Sequence, residues 1–209
     1  MRRSSEKSQR KPRVPWYNFV VGLTDMIGEL VRSRRIFDGR ILGLRVDDVR
    51  LPSGELSRRE VVEHPGAVAI VAFKDKENII MIKQLRHAVD GWLLEIPAGT
   101  LERNETPRRC ATRELIEETG FKAGRMKKMF SCYIAPGYSN ELIHEFLATD
   151  LTYVGQHTES DEFVRTVTMT IREAAERIVT GRIKDAKTIC GILYITRISK
   201  ETTRWITSK

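Results

Sequence analysis

The stretch Gly99–Phe121, GTLERNETPRRCATRELIEETGF, decides the fold of this chain. Thr106-Pro107 is a favourable helix start, because a threonine caps free N–H groups and proline fits the first helical position. Gly120 is a favourable helix stop. The stretch therefore predicts a helix over 107–119, and three acids that share one face of its last two turns. These acids are Glu114, Glu117 and Glu118.

This acidic face is locally unfavourable. Like charges three and four residues apart repel, and acids near a helix C-terminus oppose the helix dipole, each at about a few tenths of a kcal/mol. Cys110 and Ala111 share the face one turn earlier, so it is not an obvious solvent face. A solvated face is the ordinary alternative. A hard divalent cation would remove the repulsion, and oxygen ligands without His or Cys suit Mg²⁺ or Mn²⁺.

The rest of the chain mixes strands and helices without regular alternation, which predicts an α+β fold. Residues 36–64 alternate apolar and polar side chains and predict an antiparallel arm. Six further segments read as strands: 67–73, 79–84, 92–96, 128–134, 142–149 and 163–169. Residues 171–180 and 186–198 read as helices.

Charge and composition describe the two ends of the chain. The 209 residues carry a net charge of +8, which invites a nucleic-acid partner. Residues 1–15 hold six basic residues and one acid, and residues 182–209 hold seven basic residues and two acids, a net +5 each. The remaining body is then close to neutral at −2. We therefore expect nucleic acid to be an unlikely partner, residues 1–15 to be a flexible tail and 200–209 to be a C-terminal tail.

Cysteine usage and hydropathy bear on the compartment. Cys110, Cys132 and Cys190 are odd in number and form no CxxC pair, which predicts a reduced, cytoplasmic protein without a disulfide framework or zinc site. No signal peptide is recognisable. Residues 16–35 begin with an apolar stretch too short and too charged to span a bilayer. We predict an N-terminal helix there, packed on the domain or on a dimer partner; attachment to a membrane surface is the alternative.

The spacing of the acidic stretch resembles the Nudix box, Gly-x5-Glu-x7-Arg-Glu-U-x-Glu-Glu-x-Gly-U, where U is apolar. All nine specified positions match, from Gly99 through Glu105 and Arg113 to Phe121. The resemblance implies an α/β/α sandwich around a mixed sheet, here as the domain 65–199. It also implies metal-dependent hydrolysis of a nucleoside diphosphate linked to another group. Arg113 would brace Glu105, while Glu114, Glu117 and Glu118 would bind the metal with the carbonyl of Ala98.

Residues outside the box resemble the ADP-ribose pyrophosphatase group. Glu95-Ile96-Pro97-Ala98-Gly99 is similar to the approach to its box, and Pro136 stands sixteen residues after Gly120, about where that group has a proline. Further similar segments are Gln84-Leu85-Arg86, 135–141, 161–163 and 181–188. The resemblance covers about 36–195, and residues 1–35 show no clear family counterpart.

This resemblance implies an activity and a set of roles. Glu141 would orient or deprotonate the attacking water, and the products would be AMP and ribose 5-phosphate. Arg86 would contact a phosphate or the terminal ribose, and Arg59 is a weaker candidate of the same kind. Glu95 and Pro136 are further substrate-binding candidates. The arm 36–64 would cross to a second copy in a homodimer.

Other functions stay open at this point. Hydrolysis of another nucleoside diphosphate sugar, such as GDP-mannose, is the main alternative. A regulator that binds ADP-ribose without cleaving it would be expected to have an eroded box, whereas this box is intact. Action on RNA ends has the basic termini as its only support. The dispersed tryptophans and histidines favour structural roles over a stacking platform or a metal site.

Overall fold

The computed structural model describes residues 28–156 and 164–198. Its N-terminal part is a three-stranded antiparallel sheet of β1 (Glu29–Asp38), β2 (Gly43–Arg50) and β3 (Leu56–Glu63). The predicted antiparallel arm is confirmed, with three strands. The helix predicted over 16–35 is wrong for 29–35, because β2 pairs with that segment and satisfies its backbone groups. Residues 1–27, including the predicted tail, lie outside the described part, as do 200–209.

The second sheet is mixed and has seven strands. Five of them run in the order β10-β5-β4-β9-β8, with β6 beside β5 and β7 beside β4. Only the β4–β9 pair is parallel among the described strands. The strands are β4 (Ala67–Phe73), β5 (Asn78–Arg86), β6 (Gly91–Glu95), β7 (Ala98–Thr100), β8 (Phe121–Tyr133), β9 (Leu142–Tyr153) and β10 (Val164–Thr170).

Helices cover both faces of this sheet. On one face, α1 (Pro107–Thr119) packs Cys110, Ala111 and Leu115 against alternate residues of β4. On the other face lie α2 (Ile171–Val179) and α3 (Ala186–Leu193), which continues into a π-helical turn to Ile198. Strand β4 is buried throughout because it is sandwiched between these layers. The α+β class and the α/β/α sandwich are confirmed.

Two differences from the predicted elements have a local cause. Strand β8 begins at Phe121, seven residues before the predicted start, because Gly120 adopts φ +75° and turns the chain directly from α1 into the strand. This half of the strand has no apolar run, because Lys122, Arg125 and Lys127 interrupt it. The short strand β7 is absent from the predicted elements; it pairs with β4 and so fixes the start of the box against the sheet. None of the described helices is long and apolar enough to cross a membrane.

Candidate active site

A cleft with two lobes, of about 470 and 860 Å³, runs beside β7. Both lobes share Ala98–Thr100, Arg86 at the end of β5, and Ile41 from the loop between β1 and β2. Glu105, Arg113, Glu114 and Glu117 line the larger lobe. Glu95 and Glu141 line the smaller one. The fold thus brings most of the predicted site residues to one opening.

Helix α1 supplies the acidic wall of the cleft. Thr106 caps its first turn by accepting a hydrogen bond from the Arg109 N–H, and the Gly120 N–H closes its last turn on the Ile116 carbonyl at 2.7 Å. Both caps stand where the sequence predicts them. The helix therefore ends just after Glu118, and its acidic face points toward β7 rather than away from the sheet.

Arg113 organises these acids. Its Nη2 donates to Glu105 at 2.9 Å, and its Nη1 donates to Glu114 at 2.7 Å and to Glu117 at 2.9 Å. The hydrogen bonds with Arg113 lower the pKa of Glu105, and the same contacts raise the pKa of Arg113. The geometry agrees with the bracing of Glu105 by Arg113 that the resemblance implies.

Two further contacts tie the acids to β7. The buried carboxylate of Glu118 accepts a hydrogen bond from the Ala98 N–H at 2.9 Å. The Glu114 carboxylate lies directly against Gly99, where any Cβ would overlap it. A glycine is therefore required at this box position by close approach of a functional side chain. Ala98 lines both lobes, and Glu114 lines the larger one.

The donor set suits a hard divalent cation. Glu114, Glu117, Glu118 and the Ala98 carbonyl offer only oxygen atoms, the chemistry that Mg²⁺ and Mn²⁺ prefer. As the side chains stand, no three acidic, histidine or cysteine side chains in 28–156 and 164–198 converge as closely as a bound metal requires. Arg113 bridges Glu114 and Glu117 in this arrangement, so binding a cation would exchange those ion pairs for metal contacts.

An ion-pair network around the buried carboxylate of Glu95 lines the smaller lobe. Arg86 donates from Nε and Nη2 to the two carboxylate oxygens of Glu95, at 2.8 and 2.7 Å. Lys187 donates to the same carboxylate. Burial alone would raise the pKa of Glu95, but the Arg86 hydrogen bonds and the Lys187 charge together bring it below its usual value. Glu95 is therefore an anion at neutral pH, and its oxygens are already engaged by cations.

This geometry changes the reading of Glu95. Its side chain is fully buried and forms a bidentate pair with the Nε and Nη2 atoms of Arg86. The Nη1 atom of Arg86 makes no hydrogen bond with Glu95. The exposure of Arg86 to both lobes supports its predicted contact with substrate. A direct contact between Glu95 and substrate stays a prediction, although its engagement with two cations favours a supporting role.

Glu141 lies on a loop that the N-terminal sheet holds in place. The Val62 N–H of β3 donates to the Tyr138 carbonyl at 2.7 Å, and the His64 N–H donates to the Asn140 side chain at 2.8 Å. The His64 Nδ1 atom lies 3.9 Å from the Glu141 carboxylate. The arm therefore fixes the loop that carries the predicted base.

Two predicted substrate-binding residues lie elsewhere. Arg59 is exposed on β3, donates to the Arg58 carbonyl at 3.0 Å and to Ser57, and lines neither lobe within this chain. Pro136 is exposed in the turn before Glu141 and also lines neither lobe. Its position shapes the turn in which the Ser139 N–H donates to the Ala135 carbonyl. Their contacts with substrate stay predictions.

Sequence reasoning missed three contributors to the cleft. His64 and Ile41 have no motif of their own; they come from the arm, and only the packing of the arm on the core brings them to the cleft. Lys187 did carry a signal, since residues 181–188 resemble the same group of enzymes, but the resemblance assigned no role to this segment.

Two family models match this chain. The NUDIX domain profile matches residues 63–189, and the profile described as nucleoside diphosphate sugar hydrolase N-terminal domain matches 29–62. The second match corrects the expectation that residues 1–35 lack a family counterpart, since it begins at Glu29 in β1.

Similar proteins carry related names. The chain is 41% identical to the ADP-ribose pyrophosphatase of Bacillus subtilis (strain 168) over 79% of its own length and 90% of that protein. It is 42% identical to the ADP-ribose pyrophosphatase of Mycobacterium tuberculosis (strain ATCC 25618 / H37Rv), over 80% of this chain and 82% of that one. More distant relatives, 32–35% identical, are named GDP-mannose pyrophosphatase.

A solved structure agrees in fold. The crystal structure of an ADP compounds hydrolase superposes with a TM-score of 0.73 at 19% identity, over 81% of this chain and 92% of that one. This likeness shows the fold, and the family matches and the relatives at 41–42% identity show the family. The chain belongs to the Nudix family of hydrolases and carries the N-terminal domain of the nucleoside diphosphate sugar hydrolases.

Proposed function

We propose that this protein hydrolyses the pyrophosphate bond of ADP-ribose to AMP and ribose 5-phosphate, in a reaction that depends on Mg²⁺. The observation that carries the proposal is the pair of adjoining lobes that share Arg86 and Ala98–Thr100. Acids of α1 line one lobe and Glu141 lines the other. A dianionic pyrophosphate fits such a cleft when a cation offsets the acids and Arg86 binds the phosphate. The names of the two relatives above support ADP-ribose as the substrate.

The residues that would hold the cation are Glu114, Glu117, Glu118 and the Ala98 carbonyl, with Mn²⁺ as an alternative to Mg²⁺. When bound, such a cation polarises phosphoryl oxygens and lowers the pKa of a water molecule. Arg113 keeps its contact with Glu105, so it continues to hold α1 against the box loop. Gly99 lets Glu114 lie close to the backbone.

Glu141 is the proposed group that orients the attacking water or accepts its proton. It borders the smaller lobe together with Arg86 and Ala98, and its loop is anchored to β3. Arg86, which lines both lobes, would hold the substrate phosphate or the terminal ribose. The two roles differ: loss of Glu141 should lower kcat, whereas loss of Arg86 should raise KM.

We also propose that the enzyme is a cytoplasmic homodimer in which the N-terminal sheet meets a second copy. Every residue of β1 is exposed within one chain. Large apolar side chains on the sheet and its loops are among them, with Leu30, Ile36, Phe37, Ile41 and Leu56 each at least half exposed. An apolar surface of this kind favours a protein partner. The three described cysteines are free thiols, which supports a reducing compartment.

A second substrate, GDP-mannose, is favoured by the more distant relatives that carry its name. The experiment is a substrate panel with Mg²⁺ in oxygen-18 water: ADP-ribose, ADP-mannose, GDP-mannose, diadenosine polyphosphates and capped RNA. We expect AMP release to be fastest from ADP-ribose and to stop in EDTA. The position of the label would show which phosphorus is attacked.

The panel also separates the alternatives. Faster turnover of GDP-mannose would move the substrate assignment to that sugar nucleotide. Binding of ADP-ribose without release of AMP would indicate a regulator rather than an enzyme. Preferential cleavage of capped RNA would indicate that the enzyme acts on RNA ends and that its basic termini take part in binding them.

A further inference from the structure

The segment Asp185–Thr188, which is the N-cap and first turn of α3, borders the smaller lobe of the cleft without belonging to the metal-binding box. Asp185 caps the helix, since its carboxylate accepts hydrogen bonds from the Thr188 N–H at 3.0 Å and from the Thr188 hydroxyl at 2.6 Å. Asp185 and Lys187 line the smaller lobe. We call this segment the α3 cap turn.

Lys187 connects the cap turn to the substrate-binding wall. Its ammonium group donates to Glu95 and, at 2.9 Å, to Asp185. Only 11% of its side chain is exposed, so the ion pairs form in a desolvated place where they are strong. Glu95 in turn holds Arg86. The order of contacts is therefore Asp185, Lys187, Glu95 and Arg86.

Thr188 connects the same turn to the approach of the box. Its hydroxyl oxygen accepts a hydrogen bond from the Ile96 N–H at 2.9 Å, in a fully buried place. Ile96 begins the segment Ile96–Ala98, whose end presents the carbonyl proposed to bind metal. The Pro97 carbonyl then accepts from the Ile70 N–H at 2.8 Å, which fastens the segment to β4. One helical turn thus supports both the arginine and the start of the box.

Lys187 holds Glu95 without changing the net charge of the network. The Arg86–Glu95 pair is neutral, and adding Lys187 and Asp185 gives two cations and two carboxylates, which together are again neutral. What Lys187 adds is a second cationic donor to the Glu95 carboxylate, so the group that orients Arg86 is itself held in place.

We propose that Asp185, Lys187 and Thr188 are positioning residues, which set the place of Arg86 through Glu95 and hold the Ile96–Ala98 segment for the metal site. This inference rests on the proposed function, because it assigns the cap turn to the same cleft. It differs from a direct contact between Lys187 and substrate, which would make Lys187 a binding residue in its own right.

The first experiment compares Lys187→Met with Lys184→Met, whose lysine is exposed three residues earlier. Lys187→Met should raise KM for ADP-ribose about tenfold while kcat falls less than about threefold, because a weakened Arg86 acts mainly on substrate binding. Lys187→Arg, which keeps the charge, should recover part of the loss. Lys184→Met should match the wild type. An unchanged KM in Lys187→Met would overturn the proposal.

A double-mutant cycle separates positioning from direct contact. In an Arg86→Met background, Lys187→Met should change KM by less than about twofold, because its effect passes through Arg86. An additional tenfold loss would show that Lys187 contacts the substrate itself, and would overturn the positioning role. If Lys187→Met does not fold, Asp185→Asn carries the test, since it removes a charge beside Lys187 but leaves an acceptor for Thr188. It should raise KM about threefold, and an unchanged KM would again contradict the proposal.

A binding measurement keeps this inference distinct from the proposed function. ADP binding in EDTA, followed by calorimetry, needs neither metal nor chemistry. We expect Lys187→Met to weaken ADP binding about tenfold relative to Lys184→Met. If the wild type releases no AMP from ADP-ribose while ADP binding still depends on Lys187, the proposed function fails and the positioning role stands. Equal ADP affinity in the two variants would overturn the positioning role alone.

Discussion

Two buried glutamates of the central sheet differ in ionisation: one carboxyl group is charged at neutral pH and the other is neutral. Glu95 on β6 and Glu145 on β9 are both 0% exposed, and both lie beside α3. Glu95 accepts hydrogen bonds from Arg86 and Lys187, and its pKa lies below the usual value. Neither carboxyl oxygen of Glu145 has a hydrogen-bond partner among the described residues, and burial raises its pKa to about 8.

The difference teaches that burial alone does not set the charge of a carboxyl group. The same loss of water acts on both residues, and the partners decide the outcome. The two cations that pair with Glu95, Arg86 and Lys187, line the smaller lobe of the cleft, where Arg86 is proposed to bind substrate. Glu145 sits between Ile143 and Leu147 on β9, in the apolar core under α3, and is protonated at neutral pH. Gly191 leaves room for it, since a Cβ there would lie 2.9 Å from its Oε2.

The largest effect is expected at a third buried glutamate, Glu118. Glu118→Gln should lower kcat by roughly three orders of magnitude, because it removes a metal-binding charge. The amide oxygen can still accept from the Ala98 N–H, so the fold should survive. Initial rates with saturating Mg²⁺ and a circular dichroism melt measure the two outcomes. Glu145→Gln is the matched control. Near-normal turnover in Glu118→Gln would contradict the metal assignment.

Glu95→Gln should give the next largest effect. Removing one partner of a buried ion pair leaves Arg86 and Lys187 with an uncompensated charge, and we expect the free energy of unfolding to fall by about 3 kcal/mol. Urea denaturation at pH 7 measures it. The same change at Glu145 removes no ion pair and should alter stability by less than about 1 kcal/mol at that pH. Equal decreases in the free energy of unfolding at the two positions would show that the ion pairs with Arg86 and Lys187 do not set Glu95 apart from Glu145.

Glu141, which is partly exposed, contrasts with both buried residues. Glu141→Gln should lower kcat by about two orders of magnitude with a smaller change in KM, because a base acts on the chemical step. Stability should be close to that of the wild type, since 28% of the side chain is exposed. Steady-state kinetics at several Mg²⁺ concentrations measure the split. A change confined to KM would move Glu141 from chemistry to binding.

Taken per pH unit, the smallest effect is a pH dependence of the free energy of unfolding, with opposite signs at the two buried glutamates. Glu145 has a folded pKa of about 8 against an ordinary 4.5, so its contribution is fully present below pH 4.5 and is lost between pH 4.5 and 8. The expected slope there is about 1.4 kcal/mol per pH unit. Glu95 has a lowered pKa, so its contribution is present above 4.5 and is lost as the pH falls further.

Urea denaturation of the wild type and Glu145→Gln between pH 5 and 8 tests this difference. The variant should show a flatter pH profile than the wild type over that range, because the amide does not titrate. Parallel profiles would mean that Glu145 is ionised in the folded protein, and would remove the contrast with Glu95.

The sequence predicted the site on α1 more fully than the remainder of the cleft. Thr106, Pro107 and Gly120 fix the ends of the helix locally, and helical spacing alone brings its three glutamates to one face. The box spacing then connects Gly99 and Glu105 to that face. Strand β1 could not be predicted in this way, because Glu29–Asp38 finds its hydrogen-bonding partner in β2, and pairing of this kind is not a local property of the segment.

The sequence by itself determined the acidic helix, its caps, the all-oxygen donor set and the membership implied by the box, because each depends on spacing within a few turns of chain. Only the tertiary structure decided which buried glutamate is charged, since Glu95 meets Lys187 across 92 positions of the sequence. It also brought His64 of the arm to the Glu141 loop, 77 positions away. Such contacts form only when the sheets and helices pack together, so the spacing of residues along the chain does not predict them.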